Sequence, residues 1–154
     1  MKTDVLTAFD EIGAKAVIEQ RGHVFEIDVV ADQVAEMFKL TYPWADTIIA
    51  DVLDVKPKLR HLTLDVTGWQ LPIAGRYLCG HDERHWFVAG LPFHSGTATV
   101  RGAMEALKPS IVRREQKRKG VKHRRNRRKT AAYVRQGEWF SLRRPKTHVA
   151  ARAT

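Results

Sequence analysis

Residues 76–92 read RYLCGHDERHWFVAGLP. Two strand-forming runs flank the acidic pair Asp82-Glu83, and the stretch reads as a β-hairpin with its tip there. A short loop joins only antiparallel strands, since parallel neighbours need a long crossover. Upstream, LRHLTLDV (59–66) alternates Leu62, Leu64 and Val66 with His61, Thr63 and Asp65, a half-buried strand pattern. VAEMFKLTY (34–42) and DTIIADVLDV (46–55) are further strand runs, broken by Pro43 and Pro57. AKAVIEQ and HVFEIDVV flank Arg21-Gly22 and read as two strands joined by a tight turn. DVLTAFDEI (4–12) places Val5, Leu6, Phe9 and Ile12 on one helical face, with Thr3 or Asp4 as cap and Gly13 as stop.

Downstream the period changes. Val100, Ala103, Met104 and Leu107 stand at i, i+3, i+4 and i+7, a short amphipathic helix near 97–108. A Ser or Thr between Ser95 and Thr99 can cap it, and Pro109 ends or kinks it. SIVRREQKRK reads as a second helix that Gly120 weakens, and EWFSL returns to strand chemistry. The expected class is α+β: a mostly antiparallel sheet with an N-terminal helix, the helix near 97–108 and a basic C-terminal segment. The expected division is a near-neutral body over 1–112, an Arg/Lys-rich segment over 113–130, a candidate return strand within 131–142 and a basic tail over 143–154.

Charge supports that division. Of the chain's 154 residues, 1–112 carry 11 Lys/Arg against 15 Asp/Glu, while 113–154 carry 16 against 2. The formal charge of +10 therefore belongs to the last quarter of the chain. The single cysteine, Cys79, excludes an intramolecular disulfide. The amino-terminal residues hold no apolar signal-peptide core, and no apolar run reaches the roughly 18 residues of a membrane span. A cytoplasmic protein is expected (nuclear if eukaryotic), not a secreted or membrane one.

Between Arg113 and Lys129, 11 of 17 residues are Lys or Arg and one, Glu115, is acidic. Cations at this density repel one another and gain most by meeting a polyanion, as phosphate backbones release condensed counterions on binding. Seven of the eleven are Arg, whose planar fork suits phosphate and stacks on bases. The expected nucleic-acid-binding residues are Arg113, Arg114, Lys117, Arg118, Lys119, Lys122, His123, Arg124, Arg125, Arg127, Arg128, Lys129, Tyr133, Arg143 and Arg144. RNA is favoured slightly over DNA, because Arg-rich segments that order on binding are a common RNA device. The expected role is an accessory or structural subunit of a nucleoprotein complex, with RNA or DNA and protein subunits of that complex as the expected partners. An adaptor for an acidic protein, a nuclear address and a solvated tail are the other readings of the run. Trp139 and Phe140 are consecutive, so in a strand at most one faces solvent to stack on a base.

The hairpin tip gathers Cys79, His81, Asp82, Glu83, Arg84 and His85, with His94 nearby. Thiolate and imidazole are zinc ligands, so Cys79, His81 and His85 form an alternative metal set if a three-residue loop places His81 opposite His85. His with carboxylate can also run acid–base chemistry, making His81, Asp82, Glu83 and His85 the catalytic candidates of an alternative nuclease. The plainer reading is a polar turn, with no cofactor and no enzyme activity expected. His23 and His61 fall in strand runs and are expected to be structural.

Overall fold

Asp4 opens the first helix of the computed structural model, which describes residues 4–44, 47–68, 75–92, 95–122, 129–137 and 139–143. Its carboxylate accepts the Thr7 N–H at 3.3 Å and caps α1 (Val5–Glu11). Gly13 stops the helix at φ +81°. The buried face is Val5, Ala8, Phe9 and Ile12, an i, i+3, i+4, i+7 stripe; Leu6, expected on it, is 40% exposed because it falls off that stripe.

β1 (Ala16–Gln20), β2 (Glu26–Ala31) and β3 (Glu36–Tyr42) form a three-stranded sheet in the order β1-β3-β2. The expected hairpin about Arg21-Gly22 does not form: β1 runs parallel to β3, and β2 runs antiparallel to it. β3 takes the centre because Phe38 and Leu40, both fully buried, belong to the core beneath. The segment after β1 crosses the end of β3, where the Arg21 N–H donates to the Tyr42 carbonyl (2.9 Å) and the Trp44 N–H to the Gly22 carbonyl (3.2 Å).

β4 (Ile48–Lys56), β5 (His61–Gly68), β6 (Gly75–His81) and β7 (Trp86–Leu91) form an antiparallel meander. One of its faces, with Leu62, Leu64, Val66 and Cys79, packs with Phe9, Phe25, Phe38 and Leu40 of α1 and the first sheet. The Phe9 and Phe38 rings meet at 4.6 Å between centroids. The other face carries Leu78, Phe87 and Leu91 and is covered by Val100, Ala103 and Met104 of α2 (Val100–Ala106). β5 is therefore buried on both faces. His61 and Thr63, which alternation assigns to solvent, are buried, and the Thr63 hydroxyl donates to the Ala98 carbonyl at 2.8 Å. A β-bulge between Val52 and Asp54 lies beside the start of α2. There the Asp54 carboxylate accepts the Val100 N–H at 2.8 Å, and the Thr99 hydroxyl caps Gly102.

α3 (Ser110–Arg118), β8 (Tyr133–Gln136) and β9 (Trp139–Leu142) complete the chain's elements. Val112, Ala132 and Tyr133 are their buried centre, with Val121, Phe140 and Leu142 packed around it. EWFSL does not join either larger sheet. It pairs with β8 in a two-stranded ladder whose two-residue turn begins at Gly137, φ +59°. The division expected between residues 112 and 113 falls inside α3. The class is α+β with mostly antiparallel sheets and an N-terminal helix. Among the described residues no helix is long and apolar enough to cross a membrane.

Candidate nucleic-acid interface

α3 carries the first half of the basic run. Val112 and Gln116, at i and i+4, form its buried edge. Arg114, Lys117 and Arg118, at i, i+3 and i+4, form an exposed cationic stripe. Arg118 forks onto Glu115 through Nε (3.0 Å) and Nη2 (2.8 Å). That hydrogen bond holds the Glu115 carboxyl below its ordinary range. Gly120 does not weaken the helix from within; it ends it. At φ +66° it follows the last turn, its N–H donates to the Lys117 carbonyl (3.3 Å), and the Val121 N–H reaches the Gln116 carbonyl (2.8 Å). These two bonds make a Schellman stop.

Two of the expected contact residues turn to the protein itself. Arg113 donates Nη2 to the Glu105 carbonyl at 2.9 Å, at the C-terminal end of α2, where a cation complements the helix dipole. Lys119 donates Nζ to the carbonyls of Ala131 (3.1 Å) and Arg143, clamping the chain after the run to the end of α3. Tyr133 is fully buried, edge-on to Phe140 at 5.2 Å, so it is withdrawn from base stacking. Trp139, 76% exposed, is the free aromatic of that strand. Strand alternation explains the difference, because Trp139 and Phe140 face opposite sides.

Lys122 and Lys129, the described residues on either side of 123–128, are both exposed. Together with residues 120, 121, 130, 131 and Arg143 they line a cleft of about 560 Å³. Thr130 fixes the return: its hydroxyl accepts the N–H groups of Ala132 and Tyr133 at 3.1 Å each, and Lys129 bridges to Val134. The described residues on either side of 123–128 are thus fixed by the scaffold, and Lys122 and Lys129 share one basic cleft. His123, Arg124, Arg125, Arg127, Arg128 and Arg144 lie outside the described residues.

The His-rich hairpin is organised differently. His81 pairs with Trp86, so the loop has four residues, 82–85, and the three-residue loop that would set His81 opposite His85 does not occur. The Asp82 carboxylate accepts the N–H groups of Arg84 and His85 at 2.8 Å each. Partial burial pushes its pKa up, yet these two bonds outweigh burial and leave it below the ordinary value. His85 Nδ1 lies 2.9 Å from Glu36 Oε1, while the His81 ring packs edge-on against Trp86. Cys79 is fully buried in the core, where burial pushes its thiol pKa far up. The alternative metal set is therefore not assembled, and among the described residues no three His, Cys, Asp or Glu side chains are placed to hold an ion. The catalytic alternatives His81, Asp82 and His85 each have a local structural partner in place of a common focus, and Glu83 takes part in a further interaction.

Sequence reasoning passes over Arg135. It is buried two residues from Tyr133, and its Nε donates to the Gly137 carbonyl at 2.7 Å. The signal was available: a strand over YVRQ places positions 133 and 135 on one face. No family model matches the chain, and no curated protein or solved structure is significantly similar to it.

Proposed function

We propose that the protein binds nucleic acid, RNA ahead of DNA, as an accessory or structural subunit of a nucleoprotein assembly. The observation that carries this reading is that Lys122 and Lys129, which flank residues 123–128 of the Arg-rich run, share one cleft with Arg143. A run tied at both ends presents its cations from a fixed base and loses less chain entropy on binding than a free tail. The exposed stripe of Arg114, Lys117 and Arg118 extends the same positive surface along α3. Phosphate contacts of this kind give affinity and register with little sequence preference.

The test is binding of the full chain to single-stranded RNA, single-stranded DNA and duplexes across a salt series. With about six phosphates engaged, log K should fall against log salt with a slope of about −4 on single strands and −5 on a duplex. Neutralising Arg124, Arg125, Arg127 and Arg128 together should flatten the slope by about 3 to 4 units. Changing the same four to Lys keeps the charge but removes the fork, so a large loss there identifies a shaped RNA site. Salt-insensitive binding, or none at low salt, overturns the proposal in favour of an acidic protein partner. Cleavage lost in His85→Ala overturns it in favour of a nuclease.

A further inference from the structure

Among the described residues, Arg135 is a buried cation with no ion-pair partner. It is 5% exposed. Its Nε is used on the Gly137 carbonyl, and among the described residues neither Nη1 nor Nη2 has a hydrogen-bond partner. The Phe140 ring, 5.5 Å from the guanidinium carbon, offers its face but accepts no conventional hydrogen bond. Burial draws the group down to about 10, which leaves it charged at neutral pH. Its electrostatic surroundings include further cations. Lys108, buried beside Glu105 at 2.7 Å, feels the repulsion of both Arg135 and Arg113.

An unpaired buried charge is strongly unfavourable unless something neutralises it. The two free nitrogens are the ends of a planar fork that matches a pair of oxyanion oxygens. We propose that Arg135 is the receptor of a phosphoryl group, bound bidentately through Nη1 and Nη2 where the β8–β9 hairpin meets the β5–β7 meander. There Gly137 lies beside Asp82 and Phe87, and the Arg135 charge is felt at His61. Both nitrogens are buried, so an anion reaches them only when the hairpin, four residues in each strand, opens locally. Arg135 lies outside the Arg-rich run in sequence, and the inference does not rest on the nucleic-acid reading. Free phosphate and the phosphate of a nucleotide share this chemistry.

The experiment is thermal unfolding of the full chain in inorganic phosphate against chloride at matched ionic strength, repeated with a mononucleotide. Wild type should show a saturable rise in Tm of about 5–10 °C at a hundredfold excess over Kd. Response to inorganic phosphate identifies the free anion as sufficient; response to the nucleotide alone assigns the site to phosphate esters. Arg135→Met should remove the response and also unfold at a higher temperature than wild type in chloride, since it deletes an unpaired buried charge. Arg135→Lys should move the midpoint at least about tenfold higher. A chain with Arg124, Arg125, Arg127 and Arg128 changed to Gln should keep the full response, so this site and the nucleic-acid reading fail separately. The inference is overturned if neither phosphate exceeds chloride for wild type, or if Arg135→Met still responds. Should Arg135→Met not fold, the wild-type comparison and Arg135→Lys decide.

Discussion

Lys119 and the cleft-rim cations Lys122, Lys129 and Arg143 look alike in sequence but do different work in the fold, and substitution should separate them. Lys122, Lys129 and Arg143 are exposed on the rim, whereas the Lys119 ammonium is used on two backbone carbonyls. Changing the three rim residues to Gln together removes three phosphate contacts. Each contact contributes about 0.7 to the salt slope on single strands and 0.9 on a duplex, so the slope should flatten by roughly 2 to 3 units. At 0.1 M salt that corresponds to an affinity loss of about a hundredfold to a few hundredfold. The Tm should hardly move, because exposed side chains contribute little to stability. Lys119→Met should do the opposite. It leaves two carbonyls without their charged donor, and hydrogen bonds to charged groups contribute about 1.5–3 kcal/mol each. Partial rehydration of the carbonyls reduces the loss, so the expected cost is about 2 kcal/mol, or roughly 4–8 °C in Tm. Its salt slope, measured well below that Tm by fluorescence anisotropy, should match wild type. If Lys119→Met flattens the slope as much as the rim variant does, or if the rim variant leaves the slope unchanged, the assignment of these cations is refuted.

Gly120→Ala forces a side chain to φ +66° at the stop of α3. It should cost about 1 kcal/mol in chemical denaturation, and an unchanged midpoint would show that the stop has another geometry. His61 gives a pH signature. Burial is the main cause that pulls its pKa from 6.5 to about 4. The unfolded chain therefore takes up this proton first as pH falls, so stability is full above about pH 6.5 and is lost on the way down to about pH 4. The loss is about 3 kcal/mol. His61→Gln should flatten that part of the stability–pH curve relative to wild type; identical curves would place the titration elsewhere.

Strand periods, the i, i+3, i+4 spacing of α2 and the charge step near residue 113 were legible in the sequence because each is a local pattern. Pairing partners were not. AKAVIEQ and HVFEIDVV look like hairpin arms about Arg21-Gly22, yet β3 inserts between them. Adjacency in a sheet is decided by which strand buries the most apolar surface, and Phe38 and Leu40 win that competition. Likewise the alternation of LRHLTLDV shows one apolar face truthfully but cannot say that α2 will cover the other.

The same division runs through the candidate site. Sequence by itself determined that the protein carries a dense, Arg-rich run after a near-neutral body, because charge is a property of composition. Only the tertiary structure decided which cations remain available. Arg113 and Lys119 are drawn to backbone carbonyls, Tyr133 is sealed beneath Phe140, and Arg135 is buried with only its Nε hydrogen-bonded among the described residues. A side chain's charge is written in its covalent structure. Its solvation and its partners are set by neighbours that arrive from distant parts of the chain, and these decide whether the charge faces water, a carbonyl or the protein interior.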